Sequence, residues 1–343
     1  MENRNLYVVI LGAGRGSRME SRDPNHSKVA YPILGKPLIN YVIDAVKPLG
    51  LKDLFTVVGY GGKATEECVK NYSKVVWQHQ ILGTGHALKQ VTELKDKEGD
   101  VIVVGGEMAL LTTETLKRLY HKHVKDNNDL TICTSVLENP RGYGHVIREK
   151  GSYRLLEIKE DKDANEEERE ITEVNAGIYI INNKLLQNYL PKLSNNNSKK
   201  EYYLSELVSL FNKDGYKSEA YVLEDAQDIF SVSDRFQLAY AAKVIRKRTN
   251  LKLMLSGVSI EDPDTAYISP DIKIGKDTVI CPNTTILGNS EIGEINFIGP
   301  NATLINAKIG SDNKIVCSYL KDVKIGDHKV IGPYCNMEDE ELC

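Results

Sequence analysis

The stretch YVVILGAGRGSRM, residues 7–19, decides how the chain folds. It opens with the apolar run Tyr7–Leu11, in which most residues are β-branched, and the run stops at Gly12. A short apolar run bounded by a glycine is typical of a strand buried on both faces of a parallel sheet. The glycine-rich turn that follows would lie at the carboxyl end of that strand, where α/β sheets bind their ligands.

Apolar runs and amphipathic segments alternate through the N-terminal third of the chain. Helices are predicted over Leu38–Leu49 and Gly85–Leu94, and strands over Leu54–Val58 and Val101–Val104. Strands that alternate with helices indicate an α/β fold with a doubly wound, mostly parallel, Rossmann-like sheet.

The turn after the first strand has the composition of a phosphate-binding loop. Its glycines let backbone N–H groups approach a phosphate chain, and Arg15 and Arg18 add positive charge. The turn is not a P-loop, because no Gly-Lys-Ser/Thr sequence closes it. It is not the dinucleotide fingerprint either, because Ser17 stands where a glycine or alanine is required. A tight turn without a ligand is the alternative interpretation.

A second basic segment begins at Ser27. Lys28, if it lies near the glycine-rich turn, would neutralise charge that develops on a transferring phosphoryl group. Taken alone, Lys28 and Lys36 are better explained as solvated lysines around a proline turn.

Beyond Gly257 the chain has a six-residue hydrophobic period. The aliphatic residues that recur every six positions are Ile274, Ile280, Ile286, Ile292, Ile298 and Leu304. This period fits neither a helix nor a simple alternating strand, but it fits a β-solenoid in which each hexad forms one flat face. A β-sandwich with accidental spacing is the alternative.

Length and composition limit the possible functions. At about 150 residues per domain, 343 residues suggest about two domains. A net charge of −4 argues against a general nucleic-acid binder. No apolar stretch is long enough for a membrane helix, and the N-terminus lacks a signal-peptide pattern. The six cysteines include no C-x-x-C pair, so we expect free thiols in a cytoplasmic protein. From the charge and the hydropathy we expect that the protein binds neither nucleic acid nor a membrane.

The order of motifs resembles a known bacterial family. The further motifs are Gln78 with Leu82–Ala87, Gly142–Gly144, Glu160–Ala164, Glu173–Tyr179 and Glu201–Leu204. Together with the glycine-rich turn and the hexads, they resemble the bifunctional N-acetylglucosamine-1-phosphate uridylyltransferase/glucosamine-1-phosphate acetyltransferases over residues 6 to 335. The resemblance implies a nucleotidyltransferase domain that joins UTP to a sugar 1-phosphate, with Mg²⁺ or Mn²⁺ as cofactor. It also implies a left-handed β-helix that forms a homotrimer.

The resemblance assigns a role to each matching residue. Arg18 and Lys28 would be catalytic, and Gly144, Glu160 and Asn175 would bind the sugar. The nucleotide would be bound by Leu11, Gly12, Ala13, Gly14, Arg15, Gln78, Gly83 and Thr84.

Three departures from the family pattern affect this assignment. Glu107 takes the place of a metal-binding Asp, and Ser233 takes the place of a metal-binding Asn. A short insertion lies within Asp23–Ser27, just before Lys28. The alternatives are therefore a related enzyme for another sugar phosphate or NTP, and a sugar-nucleotide-binding or scaffold protein with an impaired metal site.

The expected domain organisation has three parts. Residues 1–233 form the nucleotidyltransferase domain, residues 234–256 a linking helix, and residues 257–343 a short hexapeptide β-helix of about four coils. The acidic segment Met337–Glu341 is expected as a tail at the open end of the coil. The resemblance places the acetyl-CoA site in later coils than these, so we expect no acetyltransferase activity from these residues.

Overall fold

The computed structural model describes residues 4–23, 26–223 and 225–342. The first three residues lie outside this range, as do Pro24 and Asn25, which belong to the segment of the expected insertion. None of the helices in the described ranges is both long and apolar enough to cross a membrane.

The chain divides into two compact units. One contains the chain up to Tyr31 together with Pro37–Arg235, and the other contains Pro32–Lys36 and the chain from Phe236 onward. The sequence places Pro32–Lys36 in the expected first domain, but these residues pack within the second unit, where the Ser269 hydroxyl donates to the Leu34 carbonyl.

The first unit is built on one nine-stranded sheet. The strands up to residue 223 are β1 (Leu6–Gly12), β2 (Pro32–Ile33), β3 (Lys36–Pro37), β4 (Asp53–Val58), β5 (Lys74–Trp77), β6 (Asp100–Gly105), β7 (Leu130–Val136), β8 (Gly144–Arg148), β9 (Leu155–Glu160), β10 (Glu173–Asn182) and β11 (Ser218–Leu223). Strands β2 and β3 form a separate two-stranded sheet. The other nine have the order β11-β7-β10-β6-β1-β4-β5, with a β8–β9 ribbon paired to β10. Neighbouring strands are parallel except where β8, β9 or β10 takes part.

Strand β1 explains why the sheet is covered on both faces. Tyr7 and Val9 point into one hydrophobic core, and Val8 and Ile10 point into the other. All four residues are buried. The continuous apolar run thus reflects two cores on opposite faces, as the sequence predicts.

Helices cover both faces of the sheet. The helices of the chain are α1 (Leu38–Val46), α2 (Gly62–Val69), α3 (Thr84–Lys89), α4 (Thr113–Lys125), α5 (Glu166–Arg169), α6 (Asn183–Tyr189), α7 (Leu207–Lys213) and α8 (Arg235–Leu255). Helix α3 is shorter than predicted, because the chain leaves the helical conformation at Val91 and resumes as a 3₁₀ turn at Thr92–Leu94.

The second unit contains three parallel sheets of five strands each, which is the architecture of a left-handed β-helix. The fold class predicted for both parts of the chain is confirmed. The strands are β12 (Ser259–Ile260), β13 (Tyr267–Ile268), β14 (Lys273–Ile274), β15 (Val279–Ile280), β16 (Thr285–Leu287), β17 (Glu291–Ile292), β18 (Phe297–Ile298), β19 (Thr303–Ile305), β20 (Lys308–Ile309), β21 (Lys314–Ile315), β22 (Tyr319–Lys321), β23 (Lys324–Ile325), β24 (Val330–Ile331), β25 (Asn336–Glu338) and β26 (Glu341–Leu342).

The solenoid has one more rung than the expected four. Its first rung begins at Ser259, before the regular hexads, and its fifth includes the acidic segment that the sequence predicts as a tail. Met337 of that segment is buried in the solenoid core. Lys321 forms an ion pair with Glu338 of the next rung, and Lys324 does so with Glu341, so two of the acidic side chains pair with lysines one coil earlier.

A stack of buried asparagines joins successive rungs. The Asn313 side-chain amide donates to Asn296 Oδ1 at 3.0 Å, and Asn313 Oδ1 accepts the Lys329 N–H at 2.8 Å. Asn296 in turn donates to the Gly310 carbonyl at 2.9 Å. Both asparagines are buried, so these bonds satisfy polar groups that water does not reach.

We predict that Asn313→Ala lowers the free energy of unfolding of the solenoid by about 1–3 kcal/mol, because it leaves the Lys329 N–H without its acceptor. Denaturant unfolding with hydrogen exchange at the solenoid amides measures the change. Asn289→Ala, at an exposed position, is the matched control and should change the free energy of unfolding little. Equal effects of the two substitutions would contradict the structural role of the stack.

Candidate active site

One cleft of about 260 Å³ at the carboxyl ends of β1 and β6 gathers most of the predicted site residues. Larger depressions, of about 630 and 670 Å³, contain none of the predicted site residues. The predicted residues that line the cleft are Leu11, Gly12, Ala13, Gly14, Lys28, Gln78, Gly83, Thr84, Glu107, Glu160 and Asn175.

The strand register brings the glycine-rich turn and Glu107 together. Leu11 of β1 pairs with Gly105 of β6, and the Gly106 N–H donates to the Leu11 carbonyl at 2.9 Å. Because both strands are parallel and end at the same level, the loops that follow them form one edge of the cleft.

Gly16 allows the turn to pack on Lys28. Its φ is +59°, and a Cβ at this position would lie only 2.7 Å from Lys28 Cβ. A side chain at position 16 would therefore be strained and would displace the stem of the lysine. Gly16 was not among the residues predicted from the sequence, although the glycine spacing in the turn was the available signal.

Arg15 and Arg18 do not line the cleft. Both side chains are exposed to solvent on the turn. Arg18 is near enough to Tyr143 for its charge to oppose the rise that burial causes in the Tyr143 pKa. Arg18 therefore lies on the side of the cleft that carries the Gly142–Gly144 motif.

Gln78 is buried at the opposite end of the cleft. Its amide nitrogen donates to the Gly83 carbonyl at 3.2 Å and contacts His86 Nδ1 at 2.9 Å. With both N–H groups used in this way, Gln78 Oε1 is left as a hydrogen-bond acceptor. Burial lowers the pKa of His86, and the charge of Lys89 lowers it further. A neutral imidazole can accept from Gln78, so His86 fixes the orientation of the amide.

The loop that follows Glu201 closes this side of the cleft. The Tyr202 N–H donates to the Leu82 carbonyl, and the Gly85 N–H donates to the Tyr202 carbonyl, each at 2.8 Å. Thr84 Oγ1 accepts the Leu204 N–H at 3.0 Å. Thr84 thus has a clear structural task here: it anchors the Leu82–Ala87 motif to the Glu201–Leu204 motif.

Glu160 is the carboxylate of the predicted sugar side. Ser205 donates a hydrogen bond to Glu160 Oε1 at 2.9 Å. Burial raises the pKa of Glu160, and the bond from Ser205 opposes that rise. Ser205 also lines the cleft, but it was not predicted because a single serine after the Glu201–Leu204 motif carries no signal of its own.

Asn175 faces Glu160 from β10. Its amide donates to the Tyr179 hydroxyl at 2.6 Å, and its Oδ1 accepts the Gly177 N–H at 2.9 Å. The register of β10 against β7 shifts between Asn175 and Tyr179, and Gly177 in this irregularity has a φ of +77°. The irregular strand thus holds the Asn175 amide in a fixed orientation at the cleft.

Gly144 lies directly beside these two side chains. A Cβ at Gly144 would be 3.4 Å from Glu160 Oε1 and 3.6 Å from Asn175 Cβ. The adjacent His145 is fully buried and points away from solvent, with Nδ1 3.0 Å from the Ile171 carbonyl and Nε2 3.3 Å from Asp161 Oδ1. Both ring nitrogens contact protein oxygens, so His145 braces the strand ends that carry Gly144 and Glu160.

Glu107 and Lys28 face each other in the cleft, with Oε2 and Nζ 3.7 Å apart. The Val232 N–H donates to the Glu107 carbonyl at 3.1 Å, so Ser233 is held next to Glu107 in the chain fold. Ser233 is buried and is not part of the cleft lining.

Glu107 and Lys28 fit a site in which the protein and the phosphate groups of a substrate would bind a metal ion together. Within the described ranges, no group of three or more His, Cys, Asp or Glu side chains could hold a metal ion. Mg²⁺ at phosphoryl-transfer sites needs only one or two carboxylates, because phosphate oxygens and water complete its coordination. One carboxylate beside Lys28 meets that requirement, with Glu107 as the residue that would bind the ion.

Comparisons with known proteins agree with this geometry. Residues 8–175 match the MobA-like NTP transferase domain family. The chain is 39% identical over 337 residues to the bifunctional protein GlmU of Thermoanaerobacter pseudethanolicus, covering 98% of this chain and 73% of that protein. It is 40% identical over 332 residues to the GlmU of a Geobacillus species, covering 96% and 72%.

A solved structure shares the fold over most of the chain. It is a UDP-glucose pyrophosphorylase complexed with UDP-glucose, with a TM-score of 0.56 and 17% sequence identity, covering 71% of this chain and 99% of that one. Fold and cleft define a nucleotidyltransferase of the sugar-1-phosphate uridylyltransferase class. At this level of identity over nearly its whole length, the chain belongs to the GlmU family.

The raised pKa of Glu160 gives a pH-dependent prediction. A buried carboxyl whose pKa is raised by folding stabilises the protein below its unfolded pKa, and that contribution is lost as the pH rises through the folded pKa. Glu160→Gln mimics the protonated form. We therefore expect it to raise the free energy of unfolding at pH 8 and to change it little at pH 4.

Denaturant unfolding of both proteins at the two pH values measures this difference. Glu138→Gln, at an exposed glutamate, is the control and should change the free energy of unfolding little at either pH value. A gain from Glu160→Gln that is equal at both pH values would contradict the assignment of the effect to burial of the charge.

Proposed function

We propose that the chain transfers uridylyl from UTP to N-acetylglucosamine 1-phosphate, giving UDP-N-acetylglucosamine and pyrophosphate. The observation that carries this proposal is the single cleft that joins the glycine-rich turn and Lys28 to Glu160 and Asn175. The names of the GlmU relatives, and the UDP-glucose bound to the structurally similar pyrophosphorylase, support a UDP-sugar as product.

The chemistry requires positioning and charge neutralisation. A phosphate oxygen of the sugar 1-phosphate attacks the α-phosphorus of UTP, and the bond from that phosphorus to the β-phosphate oxygen breaks as pyrophosphate leaves. The attacking oxygen is already an anion, so no strong general base is needed. Backbone N–H groups of the Gly12–Gly14 turn would hold the triphosphate, and Lys28 would stabilise the charge that builds on the α-phosphate oxygens.

The Gln78 end of the cleft would recognise the base. Its free acceptor oxygen matches the N3–H donor of uracil, whereas cytosine presents an acceptor at that position. His86 holds the amide in this orientation through its Nδ1 contact. The pocket thus favours UTP over CTP through the direction of one hydrogen bond.

The Glu160 end would recognise the sugar. Glu160 accepts hydrogen bonds from hydroxyl groups, and the Asn175 amide can bond a hydroxyl or an acetamido group. The missing side chain at Gly144 leaves space next to both groups. An acetamido sugar uses these donors and acceptors together, which favours N-acetylglucosamine 1-phosphate over an unsubstituted hexose phosphate.

GlmU-type nucleotidyltransferases generally use a divalent metal ion. When bound, Mg²⁺ or Mn²⁺ supplies electrostatic stabilisation of the triphosphate and its leaving group. Glu107 would hold it together with the phosphate oxygens, whereas Ser233, which does not line the cleft, has no ligand role in this proposal. Arg15 and Arg18, exposed on the turn, would reach the outer phosphates from solvent.

We further propose that the 343 residues carry out no acetyl transfer and that the β-helix assembles three copies of the chain in the cytoplasm. The chain covers 73% of the length of the Thermoanaerobacter GlmU protein. An acetyl-CoA assay with glucosamine 1-phosphate and analytical ultracentrifugation test these two points separately.

The direct test is pyrophosphate release from UTP, N-acetylglucosamine 1-phosphate and Mg²⁺, with ATP, CTP, GTP and glucose 1-phosphate as alternative substrates. We expect turnover to be fastest with the proposed pair. Faster turnover with another pair would identify a related enzyme. Calorimetric binding of UDP-N-acetylglucosamine without turnover of any pair would identify a binding protein.

Lys28→Ala tests the role of the lysine in the reaction. We expect kcat to fall by about 10²–10³-fold, with a much smaller loss of UDP-sugar affinity, because the charge that Lys28 stabilises develops in the transition state. Steady-state kinetics and calorimetry measure the two quantities. Lys36→Ala is the control, since Lys36 binds Asp271 in the second unit. Equal losses of kcat and affinity would argue against a transition-state role.

A further inference from the structure

The end of β6 contains a glycine that the backbone does not require. Gly105 does not adopt a positive φ, so any residue would fit its conformation. The three atoms nearest to a Cβ placed there all belong to the Glu107 carboxyl group. Cδ and Oε1 would lie at 3.0 Å and Oε2 at 3.2 Å. The space that a side chain would occupy at position 105 is therefore used by Glu107.

The backbone of Glu107 has little freedom to adjust. The Gly106 N–H is bonded to the Leu11 carbonyl on one side, and the Glu107 carbonyl accepts the Val232 N–H on the other. With both flanks held, the position of the carboxyl group depends on how the side chain folds. It folds back over Gly105, and in this conformation Oε2 is 3.7 Å from Lys28 Nζ.

We propose that Gly105 is a positioning residue for the metal-binding carboxylate: it leaves the space into which the glutamate folds, and this places the carboxyl group beside Lys28. The inference rests on the proposed function, because the task of the carboxylate is to hold a divalent cation on the triphosphate. Glu107 and Gly105 thus act as a pair. The glutamate needs the glycine, whereas an aspartate at position 107 does not.

The physical reason is the length of the two side chains. A Cβ at 3.0 Å from carboxyl atoms is closer than ordinary contact, so Gly105→Ala forces the carboxyl group of Glu107 to move. Mg²⁺ binds oxygen at about 2.0–2.1 Å in near-ideal octahedral geometry, and Mn²⁺ uses similar ligands, so a small displacement weakens binding. An aspartate lacks one methylene and cannot fold back far enough to meet the new methyl group.

A double-mutant cycle tests the pairing without relying on turnover. Gly105→Ala, Glu107→Asp and the double variant are titrated with Mn²⁺ in the presence of UTP and the absence of sugar phosphate, and free Mn²⁺ is followed by electron paramagnetic resonance. We expect Gly105→Ala to weaken Mn²⁺ binding by about tenfold when residue 107 is glutamate, the size typical of residues that orient metal ligands. With aspartate at position 107 it should weaken binding by less than about twofold.

A second substitution guards against a general disturbance of β6. Gly105→Ser adds one more atom, so it should lose more affinity than Gly105→Ala beside Glu107 and still lose little in the Glu107→Asp background. Thermal unfolding of each variant confirms the fold. Equal losses in both backgrounds, or no loss in either, would overturn the pairing. If the unmodified protein binds no Mn²⁺ with UTP and releases no pyrophosphate, the proposed function fails as well. If the unmodified protein binds Mn²⁺ and turns over, but Gly105→Ala leaves Mn²⁺ binding unchanged, only this inference is overturned.

Discussion

The whole arrangement depends on the parallel pairing of β1 with its neighbours β4 and β6. This pairing ends three strands at one level, so the loops that follow them share an edge. The hydrogen bond from the Gly106 N–H to the Leu11 carbonyl is the most consequential contact at that edge. It ties the loop that bears Glu107 to the strand end that precedes the glycine-rich turn.

The cleft also shows how stability and function oppose each other. Glu160 is buried in a place where its charge is poorly solvated, and Ser205 supplies one hydrogen bond in partial compensation. A sugar with several hydroxyl groups would supply the remaining bonds. In the proposed function, binding of the sugar would lower the cost of burying this carboxylate.

The buried first strand and the β-helix could be predicted from the sequence for physical reasons. Buried parallel strands leave continuous apolar runs, and solenoid coils leave a fixed period, so β1 and the hexads could be recognised directly. Strand β9 has no clear sequence pattern, because it lies at the margin of the sheet and mixes Leu155 with charged residues such as Lys159. Its last residue, Glu160, was assigned only through the family resemblance. Contacts such as Gln78 with His86 depend on side-chain packing, which no sequence pattern encodes.

The hardest feature to predict from the sequence was which charged side chains line the cleft and which are exposed. Arg15 and Arg18 belong to the glycine-rich turn, yet both side chains are exposed to solvent. Glu107, by contrast, departs from the family pattern but lies in the cleft and faces Lys28. Sequence identifies such residues, but only the three-dimensional arrangement shows which of them face a common ligand.

The proposed reaction brings the sugar phosphate oxygen to the α-phosphorus of UTP within one cleft. Its most direct test uses N-acetylglucosamine 1-phosphate labelled with ¹⁸O in its non-bridging phosphate oxygens and follows the products by phosphorus-31 NMR. We predict that all the label stays on the β-phosphorus of the UDP-sugar, including the oxygen that bridges the two phosphorus atoms, and that pyrophosphate is unlabelled. Label in pyrophosphate, or no UDP-sugar at all, would contradict the claim.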